Sequence, residues 1–307
     1  MIGNFSAKEG DLLGTDFLKQ IEQQMPSFSK GQRAIARYLL DHYEKAAFMT
    51  ASKLGATVGV SESTVVRFAA GIGCDGYPQL QKKLQDIIRN RLTSVQRIEI
   101  TSEQMSRSDV VSKVLNADMD RIKQTLENVD MDSFNEAVNR IVHAKTIYIL
   151  GVRSASALAR FMGFYFTHIF PDVRVLNTTN SSEMFEQLIR ISSEDVMICM
   201  SFPRYSQRTI KAAHFARTRG TPVISITDSP DSPLVEESDS CLFANSDMAS
   251  FIDSLVAPLS LINALIVAIS LEKEQEISAT FAELEQIWDE YNVYEKVNDD
   301  GKNESSL

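Results

Sequence analysis

Arginine, serine and tyrosine side chains are concentrated in the stretch MSFPRYSQRT, residues 200–209. The apolar run before it, residues 195–199, reads as a buried strand, and the residues from Gln207 onward have the pattern of a helix. A loop between a strand and a helix favours anions, because the helix N-terminus offers unpaired N–H groups and a positive dipole end. The stretch therefore has the position of an anion site, with Ser201, Arg204 and Ser206 as candidate side chains.

Two further loops place hydroxyl groups after an apolar run. GVRSAS, residues 151–156, follows the run 146–150 and precedes a helix expected from Ala157, and residues 227–234 follow the run 223–227. Because the carboxyl ends of parallel strands meet at one edge of a sheet, we expect the three loops to form one ligand site. Its candidate residues are Gly151, Arg153, Ser154, Ser156, Ser201, Arg204, Ser206, Thr227 and Ser229. Taken singly, each loop could equally be a set of helix caps.

The elements that would position these loops are short apolar runs that alternate with helical segments. The runs are residues 146–150, 173–176, 196–200, 223–227 and 241–244, and helices are expected before them at 110–128 and 131–143. Such alternation predicts an α/β domain with a five-stranded parallel sheet flanked by helices.

The N-terminal part of the chain has a purely helical pattern over residues 29–92. Thr50 is placed to cap a short helix, 51–58, which Gly59 ends, and Ser61 to cap the next, 62–70. Two short helices joined by a tight turn are typical of helix-turn-helix DNA readers. The alternative is a helical hairpin whose Ser and Thr residues only cap.

Charge is distributed unevenly along the 307-residue chain. The net charge is −10, yet residues 26–97 hold 11 basic and 5 acidic residues, a local +6. A basic segment attached to an acidic domain suits a module that contacts DNA phosphates. An ordinary solvated surface would show the same balance.

The stretch TASKLGATVGVSESTVVRFAAGIGCDGYPQLQKKL, residues 50–84, resembles the N-terminal helix-turn-helix of the RpiR family of bacterial regulators. The family pattern is VS-x-x-TVVRF, then LG-x-x-GY and a basic helix, and Ile72 stands where leucine is usual. The resemblance implies that Ser61, Ser63, Thr64 and Arg67 belong to the recognition helix. It makes Lys53, Tyr77, Lys82 and Lys83 candidate phosphate contacts, although the lysines could equally be surface charges.

The C-terminal half resembles the SIS (sugar isomerase) domain, the phosphosugar-binding module that follows the helix-turn-helix in RpiR regulators. The family's first loop runs G-x-G-x-S and its second S-x-S-G-x-[ST]. Here Arg153 and Arg204 stand where the family keeps glycine, and Pro203 replaces the inner serine. Two guanidinium groups would suit a carboxylate, sulfonate or phosphate. The alternative is that an arginine pairs with an acidic neighbour such as Glu183 and only supports the loops.

We therefore expect an all-α helix-turn-helix domain followed by an α/β domain of the SIS fold. The expected division is residues 1–92 for DNA binding, a linker at 93–108, an effector-binding domain at 109–295 and a disordered tail at 296–307. The expected function is that of a non-enzymatic transcriptional regulator that binds a double-stranded DNA operator and a small anionic sugar-like effector. The alternatives are a SIS-fold isomerase, with Glu183 as candidate base, and a SIS-fold binding subunit without DNA contact.

The expected setting is the cytoplasm. The N-terminus lacks the charge and apolar pattern of an export signal, and the apolar stretch 257–271 is shorter than the roughly 20 residues of a membrane span. Three widely separated cysteines argue against a zinc site or disulfides, so no metal or cofactor is expected. Because helix-turn-helix readers generally act in pairs, we expect at least a homodimer. The apolar residues 255–271 with Leu284, Ile287 and Trp288 would form its interface, unless they are buried within one chain.

Overall fold

The structure is a computed structural model that describes residues 12–89, 93–104, 108–177, 180–247 and 252–294. The start of the expected DNA-binding domain, residues 1–11, and the expected tail, residues 296–307, lie outside the described residues.

Five α-helices and one short 3-10 turn, Met25–Ser27, form the N-terminal unit. The helices are α1 Leu12–Gln24, α2 Lys30–Ala46, α3 Ala51–Val58, α4 Glu62–Gly71 and α5 Tyr77–Arg89. They enclose one apolar core in which Ile35, Leu39, Leu54, Phe68 and Leu84 are fully buried. The expected pair of short helices is confirmed as α3 and α4.

The turn between α3 and α4 depends on local caps and on one close approach. The hydroxyls of Thr50 and Ser61 accept hydrogen bonds from the third residue of their helices, as the sequence predicts. Gly59 ends α3 with a left-handed φ of 75°. A Cβ on Gly55 would lie 2.8 Å from the Val60 carbonyl oxygen, so only glycine allows α3 to pack this tightly on the turn.

Helix α5 holds the connection between α2 and α3 through one row of side chains. The Tyr77 hydroxyl donates to the Met49 carbonyl at 2.7 Å, and the Gln81 amide donates to the same oxygen at 2.9 Å. One turn further along, the Gln85 amide donates to the Ala47 carbonyl at 2.9 Å. These residues recur every fourth position on α5, so a single helix face satisfies the carbonyls where α2 ends.

The segment expected to be a linker contains a helix, α6 Ser94–Gln104. The Arg97 side chain on α6 is buried, and its Nη1 lies 2.7 Å from Asp253 Oδ1 in the C-terminal half. An ion pair removed from water in this way is costly to break, because either partner alone would be an uncompensated charge. Helix α6 is therefore fastened to the α/β half of the chain.

The C-terminal half is built on five parallel strands in the order β2-β1-β3-β4-β5. Their bounds are β1 Ile147–Gly151, β2 Val173–Val175, β3 Val196–Met200, β4 Val223–Thr227 and β5 Ser240–Phe243. The helices are α7 Val110–Asn128, α8 Met131–Val142, α9 Ala155–Ile169, α10 Ser181–Leu188, α11 Gln207–Thr218, α12 Val256–Glu272 and α13 Glu274–Glu290, and a 3-10 turn spans Val235–Glu237. The expected fold is confirmed. Helix α9 begins two residues before the expected start at Ala157.

Both faces of the sheet are covered by apolar side chains from the helices. Six residues of α12 are buried: Ala257, Pro258, Leu261, Ile262, Leu265 and Ile269. The last four belong to one of these cores. Burial within one chain therefore accounts for much of the stretch expected to pair two copies. Helix α13, in contrast, buries none of its residues.

None of the described helices is by itself long and apolar enough to cross a membrane. Helices α12 and α13 meet that test only when taken together, and the chain bends by 98° between them.

Replacing Tyr77 by phenylalanine tests the row of contacts on α5. The change removes one donor from Met49 O, so unfolding at neutral pH should cost about 1 kcal/mol less. Burial raises the pKa of Tyr77 to about 12 from 10.0, so the folded state favours the neutral phenol. This contribution is complete below pH 10 and is lost as the pH rises towards 12.

Urea titrations at several pH values would measure the effect. The difference in unfolding free energy between wild type and Tyr77→Phe should shrink between pH 10 and 12. A constant difference across that window would show that the hydroxyl is not what couples stability to pH.

Candidate functional site

The strand order has its switch point between β1 and β3, where α/β sheets form a ligand crevice at their carboxyl edge. These strands are neighbours, with Gly151 paired to Met200, although β2 lies between them in sequence. The chain leaves β1 for β2 on one side and later returns to place β3 on the other, and loops that part in this way leave an opening. The loops after β1 and β3, residues 152–154 and 201–206, flank it.

Both arginines that interrupt the glycine pattern have left-handed backbone. The φ angles are 58° at Arg153 and 50° at Arg204, and Asn292 is the third described non-glycine residue with a positive value. Such a conformation costs a residue with a side chain about 1–3 kcal/mol. Both side chains are exposed. The two loops thus keep a backbone suited to glycine and carry an exposed guanidinium at each of these positions.

The loop after β3 is anchored on both sides of Arg204. Phe202 is buried in the core with 7% exposure, and Pro203 is also buried. The Tyr205 hydroxyl donates to Asp228 Oδ1 at 2.9 Å, which ties this loop to the loop after β4. The aromatic residues of MSFPRYSQRT therefore fix the loop, and Arg204 is the side chain most open to solvent.

Hydroxyl groups at this edge bind largely to the protein itself. The Ser206 backbone N–H donates to Ser201 Oγ at 3.1 Å, and Ser206 Oγ accepts from Thr209 N at 3.4 Å. Thr227 is fully buried, and its hydroxyl lies 2.7 Å from the Ser201 carbonyl, to which it donates. This placement is at odds with the ligand contact expected of Thr227, because its hydroxyl proton is used in the bond to Ser201. Ser229, in the same loop, is partly exposed.

In the loop after β1, too, some candidate residues serve the fold and others are exposed to solvent. A Cβ on Gly151 would overlap the Ala155 carbonyl oxygen, so this buried glycine is needed for α9 to start against β1 rather than for a ligand. Ser156 Oγ donates to the Arg153 carbonyl at 2.6 Å. Ser154 is exposed, and its side chain makes no capping hydrogen bond to α9. Arg153 and Ser154 are thus the side chains that this loop presents.

Electrostatics at the edge favour an anion. The N-termini of α9 and α11 both follow the flanking loops, and their dipoles add to the charges of the two arginines. Asp228 is buried and bonded to Tyr205, so its carboxylate is enclosed in the protein.

The histidines lie away from this edge. All four histidines fall within the described residues, and none lies on the three loops. His143 follows α8, His168 lies in the last turn of α9, and His214 on α11 lies 3.1 Å from Glu237. Glu183, the candidate base, is exposed in the first turn of α10.

The second candidate site is the outer face of α4. Val65, Phe68 and Ala69 are buried as expected. Ser61, Ser63 and Arg67 are exposed, Thr64 is half-buried, and the Ser61 hydroxyl lies within 3.0 Å of both the Ser63 and the Thr64 hydroxyls. These groups form one polar surface at the start of α4.

Val66 belongs to the same surface, although the sequence analysis did not single it out. It is 40% exposed and lies one turn after Ser63, beside Arg67. Helical spacing from Ser63 was the signal that could have identified it. A valine in this position is suited to contact a thymine methyl group.

The expected phosphate contacts fall into two groups. Lys53 and Lys82 are exposed, whereas Lys83 is half-buried with Nζ 5.0 Å from the centre of the Phe17 ring. Tyr77 is only 6% exposed and its hydroxyl is bound to Met49. The expectation for Tyr77 is therefore corrected, because a side chain committed to the core cannot reach a phosphate.

Two family models match the chain, together over more than half of its length. Residues 15–91 match the helix-turn-helix domain of the rpiR family, and residues 140–268 match the SIS domain. An uncharacterized HTH-type transcriptional regulator of Clostridium perfringens is 25% identical over 72% of this chain and 79% of its own length.

Two solved structures share the fold. The Vibrio vulnificus NanR protein complexed with ManNAc-6P has a TM-score of 0.55 at 23% identity, over 90% of this chain and 98% of its own. The sugar isomerase domain of an RpiR transcription factor from Sphaerobacter thermophilus has a TM-score of 0.56 at 25% identity, over 58% of this chain and 99% of its own. With its N-terminal helix-turn-helix and C-terminal SIS domain, the chain belongs to the RpiR family of DNA-binding transcriptional regulators.

Proposed function

We propose that the SIS domain binds a small anionic sugar-like metabolite, a phosphosugar, sugar acid or sulfonate, and that this binding alters the affinity for a DNA operator. The observation that carries the proposal is the pair Arg153 and Arg204, both exposed, both left-handed and both on loops that flank the crevice between β1 and β3. Arginine offers a planar, permanently charged group that matches carboxylate and phosphate geometry.

The class of effector follows from the groups around the crevice. Two helix N-termini and two arginines favour negative charge, while Ser154, Ser206 and Ser229 add hydroxyls at the same edge. NanR, which shares the fold, is complexed with ManNAc-6P, so the fold accommodates an anionic sugar.

The DNA interface that we propose is the outer face of α4 with the nearby exposed lysines. Ser61, Ser63, Thr64 and Arg67 would read or position the duplex, and Lys53 and Lys82 would contact phosphates. The local charge of +6 over residues 26–97 supports this, because phosphate contacts dominate affinity for DNA. Tyr77 is left out of the interface.

We further propose that the protein acts in the cytoplasm as at least a homodimer. Helix-turn-helix readers place two recognition helices on two half-sites about one helical turn of DNA apart. The DNA-binding unit would then be α1 to α5, which form a separate core, whereas α6 is joined to the α/β half through Arg97.

An isomerase is the second candidate function, and Glu183 is the observation that favours it. The residue lies in the helix after β2, whose carboxyl end belongs to the same sheet edge as the crevice. Incubation with aldose and ketose phosphates, followed by NMR, would detect turnover. Interconversion abolished by Glu183→Gln would support the enzyme and count against a purely regulatory domain.

Replacing Arg67 by alanine should weaken binding to the operator by about 1–3 kcal/mol and relax the sequence preference. Titration of labelled operator and of scrambled DNA at one salt concentration would show both effects. Tyr77→Phe is the control, and its affinity should equal that of the wild type. Unchanged affinity and preference for Arg67→Ala would assign the side chain a structural role only.

Replacing Lys82 by alanine should weaken binding to all sequences alike and lower the slope of log K against log [salt] by about 1. Lys83→Ala is the matched control, because Lys83 packs against Phe17 and should change the slope less. Equal slopes for wild type and Lys82→Ala would remove Lys82 from the interface.

Replacing Arg204 by glycine should separate ligand binding from loop support. The change removes a charge-assisted hydrogen bond worth roughly 1.5–3 kcal/mol, so effector affinity should fall about ten- to a hundredfold. Glycine adopts the φ of 50° without strain, so a loss of thermal stability without ligand would come from contacts of the arginine side chain and not from the backbone. DNA binding without effector should be unchanged.

A thermal-shift screen of phosphosugars, sugar acids and sulfonates on the wild type would first identify a ligand, and calorimetry would compare the variants. Asn292→Gly is the matched control, since Asn292 has the same φ of 50° but lies beyond α13. Unaltered ligand affinity together with lower stability in Arg204→Gly would identify the arginine as a loop support.

A further inference from the structure

Helix α7 carries a row of exposed apolar side chains. Val111 is 67% exposed, Leu115 58%, Met119 59%, Ile122 37% and Leu126 76%. Their spacing of 4, 4, 3 and 4 residues places them on one side of the helix. These five residues are called the α7 stripe below. Apolar side chains that form such a continuous row are normally buried in a core or an interface.

The α7 stripe is held in place by the neighbouring face of the same helix. Arg121 and Thr125 are buried there, and Thr125 Oγ1 accepts from the Asn245 backbone N–H at 3.0 Å. The Ser254 hydroxyl donates to Asp118 Oδ1 at 2.6 Å. Helix α7 is thus fixed to the α/β core and cannot turn its apolar side inward without breaking these bonds. Within the described ranges the stripe remains open to solvent.

The spacing of the stripe is nearly symmetric about its middle. If a second α7 lies antiparallel across it, Val111 of one copy faces Leu126 of the other and Leu115 faces Ile122. Met119 then meets its own copy. A two-fold interface requires this kind of self-complementarity, because each residue must find a suitable partner on the same patch of the other copy. Every position of the stripe finds an apolar partner in this register.

We infer that the α7 stripe is the docking surface for a second copy of this chain, with the two α7 helices antiparallel around a two-fold axis near Met119. The inference rests on the proposed function in one respect, since an operator-binding helix-turn-helix regulator acts as a pair. It goes beyond that function by assigning the surface and the register.

The border of the stripe is compatible with the antiparallel arrangement. Lys123 lies beside the stripe and is exposed. In the antiparallel register Lys123 comes level with Ser112 and Asn116 of the other copy, which are polar and uncharged, so no like charge opposes it there.

The area of the stripe is compatible with this role. At these exposed fractions the five side chains offer on the order of 500 Å² per copy, and a standard interface uses about 800 Å² per partner. Met131, the first residue of α8, is 56% exposed and follows α7 by three residues. The interface expected on α12 exposes less apolar surface, because six of the residues of that helix are already buried.

The test places opposite charges at positions that the register brings together. Leu115→Glu and Ile122→Lys, each alone, should raise the dimer dissociation constant at least a hundredfold, because each buries an unpaired charge in the interface. The double variant should recover dimerisation at least tenfold relative to either single variant. In a parallel pair the double variant would place like charges opposite each other and would recover nothing.

Sedimentation velocity over a range of concentrations would measure these constants against the 34.3 kDa chain mass. Leu271→Glu is the matched control: Leu271 is 71% exposed on α12, comparable to Leu126, and the variant should remain dimeric. Circular dichroism would show that the variants are folded, as expected for substitutions at exposed positions.

A monomeric wild type, or a dimer that Leu271→Glu dissociates while Leu115→Glu does not, would overturn the inference. Either result leaves the proposed DNA and effector binding open to its own assays. Conversely, suppose that the α7 variants lose a dimer that the wild type forms, and that the wild type has no affinity for an operator. That result would support the docking surface and refute the proposed function.

Discussion

The order of strands in the sheet is the constraint on which the candidate effector site depends. Because β1 and β3 are neighbours and the chain departs from them in opposite directions, their loops cannot close over each other. Gly151 lets α9 begin directly against β1, and Ser201 and Thr227 fasten the loop after β3 to the loop after β4. The crevice is thus rigid at its base, and the side chains that differ from the family pattern lie at its rim.

The rigid base of the crevice explains how the backbone of the two arginines is held in a left-handed conformation. A strained backbone persists only where the surrounding structure determines it, and around Arg204 that support comes from buried Phe202 and from the bond between Tyr205 and Asp228. Glycine would satisfy the same backbone at lower cost. The two arginines bring two positive charges to the rim of the proposed anion site, and this is the use of the side chains that the proposal requires.

Much of the fold follows from local sequence signals. The five apolar runs matched strands because buried parallel strands need continuous apolar residues, and Thr50 and Ser61 matched caps because capping is decided within four residues. Features that depend on contacts between residues far apart in the chain were harder to predict from the sequence. Nothing near Tyr77 in sequence indicates that Met49 would accept its proton, and nothing near Arg97 indicates that Asp253 would neutralise it. The positive φ angles of the arginines could be expected only from the glycine pattern that they interrupt.

Regulation requires that an event at the crevice change the geometry of the DNA-binding units, and the route between them passes through α6 and α7. Helix α6 is joined to the α/β half by the buried pair of Arg97 with Asp253, and Asp253 lies just before α12, which packs in the core. If two copies meet along α7, the separation of their recognition helices is set by the segments between α5 and α7. An effector needs only to favour one arrangement of these segments by a few kcal/mol to shift operator affinity substantially. A dimer contact on α7 would thus let binding at the crevice change the spacing of the two recognition helices.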